Sequence, residues 1–295
     1  MIKKMITRYP KTTGIRVEMR TLFHPRFAML KEGISEFTFA ELYLFRNAHS
    51  YRISKIGDDL IVVTGKDRGT NEESFFMLPF GLPDTDGLKR LFGDYAVMKA
   101  ATEEQAGVLE KMGFSVTEDR DNFDYLYLKE DLEKLQGKNY HKKKNLVNAF
   151  VRDYTYEGRP LLPEYIPDAL LVLEEWKKER SDGDDGDYLA AKEALEMAEE
   201  LVLCGGIYYV DGRPVAFSLG EEIAGGTTWV THFEKALSGY RGLYQFINMS
   251  FASILPDKYT YINREQDLGN EGLRRAKLSY KPYSFVKKFR VKAAV

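Results

Sequence analysis

The sequence predicts an α/β (α+β) protein of two tandem halves, each a mixed, mostly antiparallel sheet flanked by helices. Three observations carry this. The chain has 295 residues, about twice a common single-core domain. Its apolar periodicity switches repeatedly between two residues and about 3.6. One order of elements, three strands, helix, strand, helix, strand, occurs twice without residue identity between the copies. The halves are expected at 1–135 and 136–295, with a basic helix over 138–152 at their junction.

In the first half FTFAELYLFRNA precedes three β-rich runs, YRISKIGD, DLIVVTGK and SFFMLPFG. DTDGLKRLF then reads as a helix, YAVMKA as a strand, TEEQAGVLEKMG as a helix and NFDYLYL as a strand that closes the half. In the second half VRDYTYEG reads as a strand, and Pro163 opens a helix with Ile166, Leu170, Leu173 and Trp176 on one face. The acidic SDGDDGD lacks the ligand spacing of a calcium loop and reads as a plain loop. A second helix covers about Tyr188 to Leu203. In GGIYYVDGRPVAFSLG two β-rich runs flank Asp211-Gly212, a strong hairpin signal, and TTWVTHFEKA adds a third strand. After Gly239 the period turns helical through Leu243, Phe246, Ile247, Ser250 and Phe251 and stops at Pro256. KYTYIN is a strand, Asn270 an N-cap, GLRRAKLSY a helix with Leu273, Ala276 and Tyr280 inward, and PYSFVKKFRV the last strand.

Composition narrows the function classes. At 44% hydrophobic and 30% charged residues the chain can build full cores. Lys plus Arg number 43 against 45 Asp plus Glu, a net charge of −2, so no global field draws it onto nucleic acid or anionic lipid, and such binding needs a local patch. One cysteine, Cys204, excludes an intramolecular disulfide and multi-cysteine metal sites; a small buried thiol in a reducing compartment is expected. The first ten residues, MIKKMITRYP, carry no apolar leader core, and no run approaches the roughly 20 apolar residues of a membrane span. A cytoplasmic protein is therefore expected. No HExxH, Walker or dinucleotide motif occurs, and no metal ligand set is patterned.

The element order is that of the GNAT acyltransferases, and its tandem use resembles the Fem-type aminoacyl transferases and the soluble catalytic region of phosphatidylglycerol lysyltransferases. The segments FAELYLFRNA, GKNYHKKKNLVNAFVRDY, GGIYYVDGRPVAFSLGE, THFEKA, RGLYQFINMSFA and YTYINREQDLGNEGLRRAKLSYKP resemble the family named for the lysyltransferase C-terminal domain, also catalogued as a domain of unknown function. The resemblance implies two tandem GNAT-like domains with the site in the C-terminal half. In lysyltransferases the donor is an aminoacyl-tRNA and the acceptor a phospholipid presented beside a transmembrane domain; this sequence carries no transmembrane segment.

Chemistry-bearing residues concentrate in that half. His232 and Glu234, two apart on a strand, point to one face, where either can take a proton from an attacking amine or else stand as a capped charge at a strand end. TYIN is expected to end near the sheet centre, so Asn263, Arg264, Glu265 and Asp267 crowd a cleft outside strand ends. Arg274, Lys277 and Lys281 form a basic helical stripe with Arg275 beside it, suited to phosphate or else paired internally with Glu271 and Asp267. SGYRGLYQ stands where acetyltransferases of this fold hold a pyrophosphate; Arg241 and Gly242 are present, a second close glycine is not, and Tyr244 follows. Lys142, Lys143 and Lys144 gather near a helix start, where their charge opposes the dipole and invites an external anion, RNA phosphate or a nucleotide tail, or else they belong to a salt-bridged linker with the mixed charge of DLEKLQGK and Arg152-Asp153.

The residues leave three functions open. The first is an N-acyltransferase moving an aminoacyl group from aminoacyl-tRNA, or a similar phosphate-bearing donor, to an amine or hydroxyl on a small molecule, peptide or lipid. Its catalytic candidates are His232, Glu234 and Glu265. Its donor-binding candidates are Arg241, Tyr244, Asn263, Arg264, Asp267, Arg274, Arg275, Lys277, Lys143 and Lys144. The second is an acyl-coenzyme A dependent acetyltransferase. The third is a non-catalytic tandem-fold protein that binds a nucleotide or acylated metabolite.

Overall fold

The computed structural model describes residues 6–57, 60–67, 73–180 and 185–294. Residues 181–184 of the acidic loop lie outside these. In chain order the elements are β1 (Thr13–Gly14), α1 (Arg20–Ala28), α2 (Phe39–Leu44), β2 (Arg52–Ile56), β3 (Leu60–Lys66), β4 (Ser74–Met77), α3 (Thr85–Asp94), β5 (Val97–Ala101), α4 (Glu103–Lys111), β6 (Ser115–Glu118), β7 (Asp124–Leu128), α5 (Lys129–Lys134), α6 (His141–Asp153), β8 (Tyr156–Pro160), α7 (Ile166–Lys178), α8 (Asp185–Glu196), α9 (Ala198–Leu201), β9 (Cys204–Val210), β10 (Arg213–Ile223), β11 (Thr228–Ala236), α10 (Leu243–Ile254), β12 (Tyr261–Asn263), α11 (Glu271–Leu278), β13 (Ser284–Val286) and β14 (Phe289–Lys292). They form two seven-stranded mixed sheets, β1-β2-β3-β4-β5-β14-β6 and β13-β7-β12-β11-β10-β9-β8.

The chain divides into two compact units, Met1–Asp124 with Val286–Val295, and Tyr125–Phe285. This differs from a single cut at 135/136. NFDYLYL, read as closing the first half, is β7, and it pairs with β12 of the second sheet. PYSFVKKFRV, read as one strand of the second half, is β13 and β14, and β14 lies between β5 and β6 of the first sheet. Periodicity identifies a strand but not its sheet, because both sheets bury the same kinds of side chain. The basic helix, α6, falls inside the second unit.

Local chemistry accounts for the elements. In the first unit Thr102 and Gln105 form a reciprocal capping box at α4, which satisfies two orphan N–H groups. The core there joins Val62, Phe76, Leu88, Leu91, Met98, Leu109 and Val291. In the second unit Asp211 (φ 50°) and Gly212 (φ 79°) make the left-handed two-residue turn that the Asp-Gly signal predicts between β9 and β10. The Asn270 side chain accepts from the Leu273 N–H at 2.9 Å, the expected cap of α11. Phe246 stacks on Phe150 at 4.6 Å, packing α10 on α6.

Two expectations fail here. Cys204 is exposed, because β9 starts at the rim of its sheet. Leu273 and Ala276 of α11 are also exposed, whereas Arg274 and Lys277 turn inward. Polar partners at the turn before α11 outweigh the helix's small apolar stripe. No described helix is long and apolar enough to cross a membrane.

Candidate active site

The site forms where β12 stops. β11 and β12 run parallel only over Thr228–Val230 against Tyr261–Asn263. Beyond that β11 continues to Ala236 paired with β10. The Leu237 N–H goes to Val215 O on the β10 side, so ladder alternation turns the backbone of Ala236 and Glu234 the other way, into the gap. The Tyr244 hydroxyl accepts from the Ala236 N–H at 3.3 Å. A notch bounded by the β11 edge results.

A bulge decides which side chains meet there. Thr231 opposes Gly220 and Phe233 opposes Leu219, which leaves His232 as the extra residue on β11. Bulges re-aim side chains by resetting the alternation. On the Leu219 and Phe233 face, His232 Nε2 meets Glu221 Oε1 at 3.1 Å and Nδ1 meets Glu265 Oε1 at 2.7 Å. Glu234 opposes Ser218 on the other face; it accepts from Arg264 Nη2 at 2.9 Å and from Asn248 Nδ2 at 3.3 Å. The expectation that His232 and Glu234 share a face is therefore corrected by one inserted residue.

His232 sits fully enclosed between its two carboxylates. Burial opposes its charge, but hydrogen bonds and attraction from Glu221 and Glu265 outweigh that and hold its pKa well above the ordinary histidine range. An imidazolium gripped at both nitrogens donates; it has no lone pair for a substrate proton. Glu265 is held by its backbone. Its φ is 56°, an uncommon left-handed position for a side-chain-bearing residue. Buried Asn263 fixes it, Oδ1 accepting the Glu265 N–H at 2.7 Å, while Tyr125 exchanges backbone bonds with Arg264 and Glu265 at 3.0 and 3.2 Å.

Of the expected donor-binding cations, two converge. The Arg264 guanidinium lies 5.4 Å and the Lys143 ammonium 4.2 Å from the Tyr280 ring centre. Lys143 has its pKa lowered by burial and then by Arg264, and it has no carboxylate partner among the described residues. Arg274 and Lys277 serve the turn instead. Arg274 donates Nε and Nη2 to the Asp267 carboxylate at 2.9 and 2.6 Å, and Lys277 Nζ reaches Arg264 O at 2.6 Å. Burial works to raise the Asp267 pKa, but Arg274, the Tyr125 hydroxyl at 2.5 Å and the Gly269 N–H at 2.9 Å drive it well below the carboxylate range. These pairs explain why so much charge follows β12: it braces the turn that aims Arg264 and Glu265.

The remaining candidates lie apart from the pair. Arg241 and Arg275 are exposed, and Lys144 Nζ lies 3.9 Å from Met249 Sδ. At Gly242 (φ 85°) a Cβ would stand 2.2 Å from Leu146 O, so α6 backbone fills the space before this turn. Sequence reasoning missed Glu221, Asn248 and Tyr280. Asn248 could have been flagged as a polar residue in a largely apolar run, FINMSF, whereas Glu221, beside Glu222 in SLGEEI, carried no such signal.

The profile of the family described as phosphatidylglycerol lysyltransferase, C-terminal, matches residues 27–292. A solved conserved protein of unknown function from Bacteroides thetaiotaomicron is 32% identical, with a TM-score of 0.84, over 96% of this chain and 99% of that one. FemX (9% identical, TM-score 0.57, 95% of this chain and 96% of that one) shares the fold. So does L-PGS from Bacillus licheniformis (14%, 0.55, 86% and 91%). An uncharacterised protein of Mycoplasmoides gallisepticum is 26% identical over 57% of this chain; the match spans 55%, about half, of that relative's length.

Proposed function

Because the chain belongs to the phosphatidylglycerol lysyltransferase C-terminal family, we propose that it is an acyltransferase moving an aminoacyl group from aminoacyl-tRNA, or a similar phosphate-bearing donor, to an amine or hydroxyl acceptor. One observation carries this reading. The notch bears an ion pair on each face of one sheet, Arg264–Glu234 on one and His232–Glu265 on the other, so donor and acceptor can meet from opposite sides. Arg264 and Lys143 would hold donor phosphate on their face, where a guanidinium fork and an ammonium with no carboxylate partner among the described residues suit it. On the other face Glu265, held by its hydrogen bond to His232 Nδ1, would take the proton from the acceptor as its nitrogen or oxygen attacks the ester carbonyl. The Glu234 N–H on the β11 edge would stabilise the oxyanion, and as the ester C–O bond breaks the tRNA ribose oxygen would leave with the proton that Glu265 took up.

The acyl-coenzyme A alternative finds less support, since α6 fills the turn at Gly242 where a pyrophosphate would sit. The experiment supplies the protein with radiolabelled aminoacyl-tRNAs, and separately with labelled acetyl-coenzyme A, together with cell metabolites and lipids. Label transferred from the tRNA pool is expected. Transfer from coenzyme A alone favours the acetyltransferase, and transfer from neither favours the binding protein.

A further inference from the structure

Four side chains of the second unit bury a polar atom that has no hydrogen-bond partner among the described residues: the Tyr208 hydroxyl, Ser218 Oγ, Trp229 Nε1 and Asn248 Oδ1. They are not scattered. Ser218 is the register partner of both Glu234 and Gly206, and a Cβ on Gly206 would lie 3.5 Å from the Tyr208 hydroxyl. Asn248 of α10 donates to Glu234. Trp229, on the same strand as Glu234, packs on Phe251 of α10 at 5.7 Å. Tyr208, Ser218 and Trp229 thus belong to the face of β9–β11 that α10 covers, and Asn248 to α10 opposite them, beside the notch. Ser250 of α10 is the polar group nearest in effect to the Tyr208 hydroxyl, acting against the rise in pKa that burial imposes on it.

Buried polar atoms left without partners are rare and lower stability, so four on one face ask for a reason. Apolar side chains of the same shape would serve packing as well or better. Their chemistry is also directional. Asn248 gives its NH₂ to the Glu234 carboxylate, which orients the amide and leaves Oδ1 as an obligate acceptor. The indole offers only a donor, and each hydroxyl can do either. The complement is a group that carries N–H donors next to a carbonyl.

We propose that this face is the subsite for the aminoacyl moiety itself, with Asn248 Oδ1 and Glu234 receiving the free amino group. The assignment rests on the aminoacyl-transfer reading and adds what that reading lacks, the residues that tell an aminoacyl donor from a plain acyl donor. An acetyl group has no N–H for Asn248. The four atoms are closed to solvent here, so entry has to part α10 from β9 and β10.

The test compares an aminoacyl-tRNA with the same tRNA N-acetylated on its amino group, using the full chain and the variants Asn248→Leu, Tyr208→Phe and Ser218→Ala. Wild type should prefer the free amine by at least about 100-fold, because a site built to hydrogen-bond a group discriminates strongly against its loss. In Asn248→Leu that preference should fall toward unity, whereas Tyr208→Phe and Ser218→Ala should transfer more slowly yet melt at or above the wild-type temperature. Equal use of both donors by wild type, or an unchanged preference in Asn248→Leu, overturns the subsite while leaving aminoacyl transfer standing. If no donor is used at all, the transfer reading fails and thermal shift decides the subsite alone. Stabilisation by glycinamide, absent with acetamide and lost in Asn248→Leu, supports it, and no stabilisation sinks it.

Discussion

Each unit buries a cluster of ions, and the two clusters are built differently. In the first unit Lys288, fully enclosed, donates to Asp124 Oδ1 at 2.6 Å and to Glu36 and Ser35. The second Asp124 oxygen accepts the Ser35 N–H at 2.9 Å. Burial disfavours the Lys288 charge, but Asp124 and Glu36 overcome this and keep it protonated. In the second unit the ions stand at the end of a strand, Glu265 and Glu234 remain partly open, and orphaned polar atoms lie beside them. A saturated cluster holds a fold together. A cluster left partly open, with partners missing, is one that a substrate can complete.

The largest test of that contrast is Lys288→Met. It leaves buried Asp124 and half-buried Glu36 without their cation and should cost about 3–5 kcal/mol of unfolding free energy in urea titration. Restoring apolar balance with Asp124→Leu and Glu36→Gln should recover most of it. A loss under about 1 kcal/mol would mean that the first cluster is not a structural pin, and the comparison would break.

Next in size is Glu265→Gln. Aminoacyl transfer should drop by about 100-fold or more, the usual contribution of a positioned proton acceptor, while the urea midpoint moves little. A large stability loss with proportionate activity loss would place Glu265 with Lys288, as a brace.

How much of this was legible beforehand follows a physical line. The helices and strands could be read because periodicity and caps are local: Asn270, Asp211-Gly212 and Pro256 each mark their element from its own neighbourhood. Strand partners could not, since β7 and β14 trade sheets through contacts remote in sequence. At the site, the crowding of Asn263, Arg264, Glu265 and Asp267 was readable from a strand ending in polar residues. That Arg274 and Lys277 brace a turn was not, because a basic stripe looks the same whether its charges face phosphate or Asp267. The bulge at His232 had no sequence signal, as its flanking residues are ordinary strand formers.

A smaller effect separates the clusters by pH. The folded pKa of His232 stands above its ordinary 6.5, so its stabilisation is fully present below about 6.5 and is lost as pH rises through the folded value. The melting temperature should therefore decline as pH is raised from 6.5 through the folded His232 value. His232→Gln should run flatter over that window. An identical slope in both proteins would show that the imidazolium contributes nothing to holding Glu221 and Glu265.

The smallest expected effect is also the most selective. Lys143 has the Tyr280 ring beneath it, a like charge beside it and no carboxylate partner among the described residues, so a cation–π contact is what its ammonium gives the folded unit. Lys143→Met keeps the apolar stem and should leave the unfolding free energy from urea titration within about 0.5 kcal/mol of wild type, in keeping with changes that remove no ion pair. If donor phosphate supplies the missing counter-charge, the KM for aminoacyl-tRNA should rise about tenfold with kcat nearly unchanged, because the contact is made equally in ground and transition states. Raising salt should shrink the difference between the two proteins. A kcat loss instead would move Lys143 from holding the donor to acting on the carbonyl.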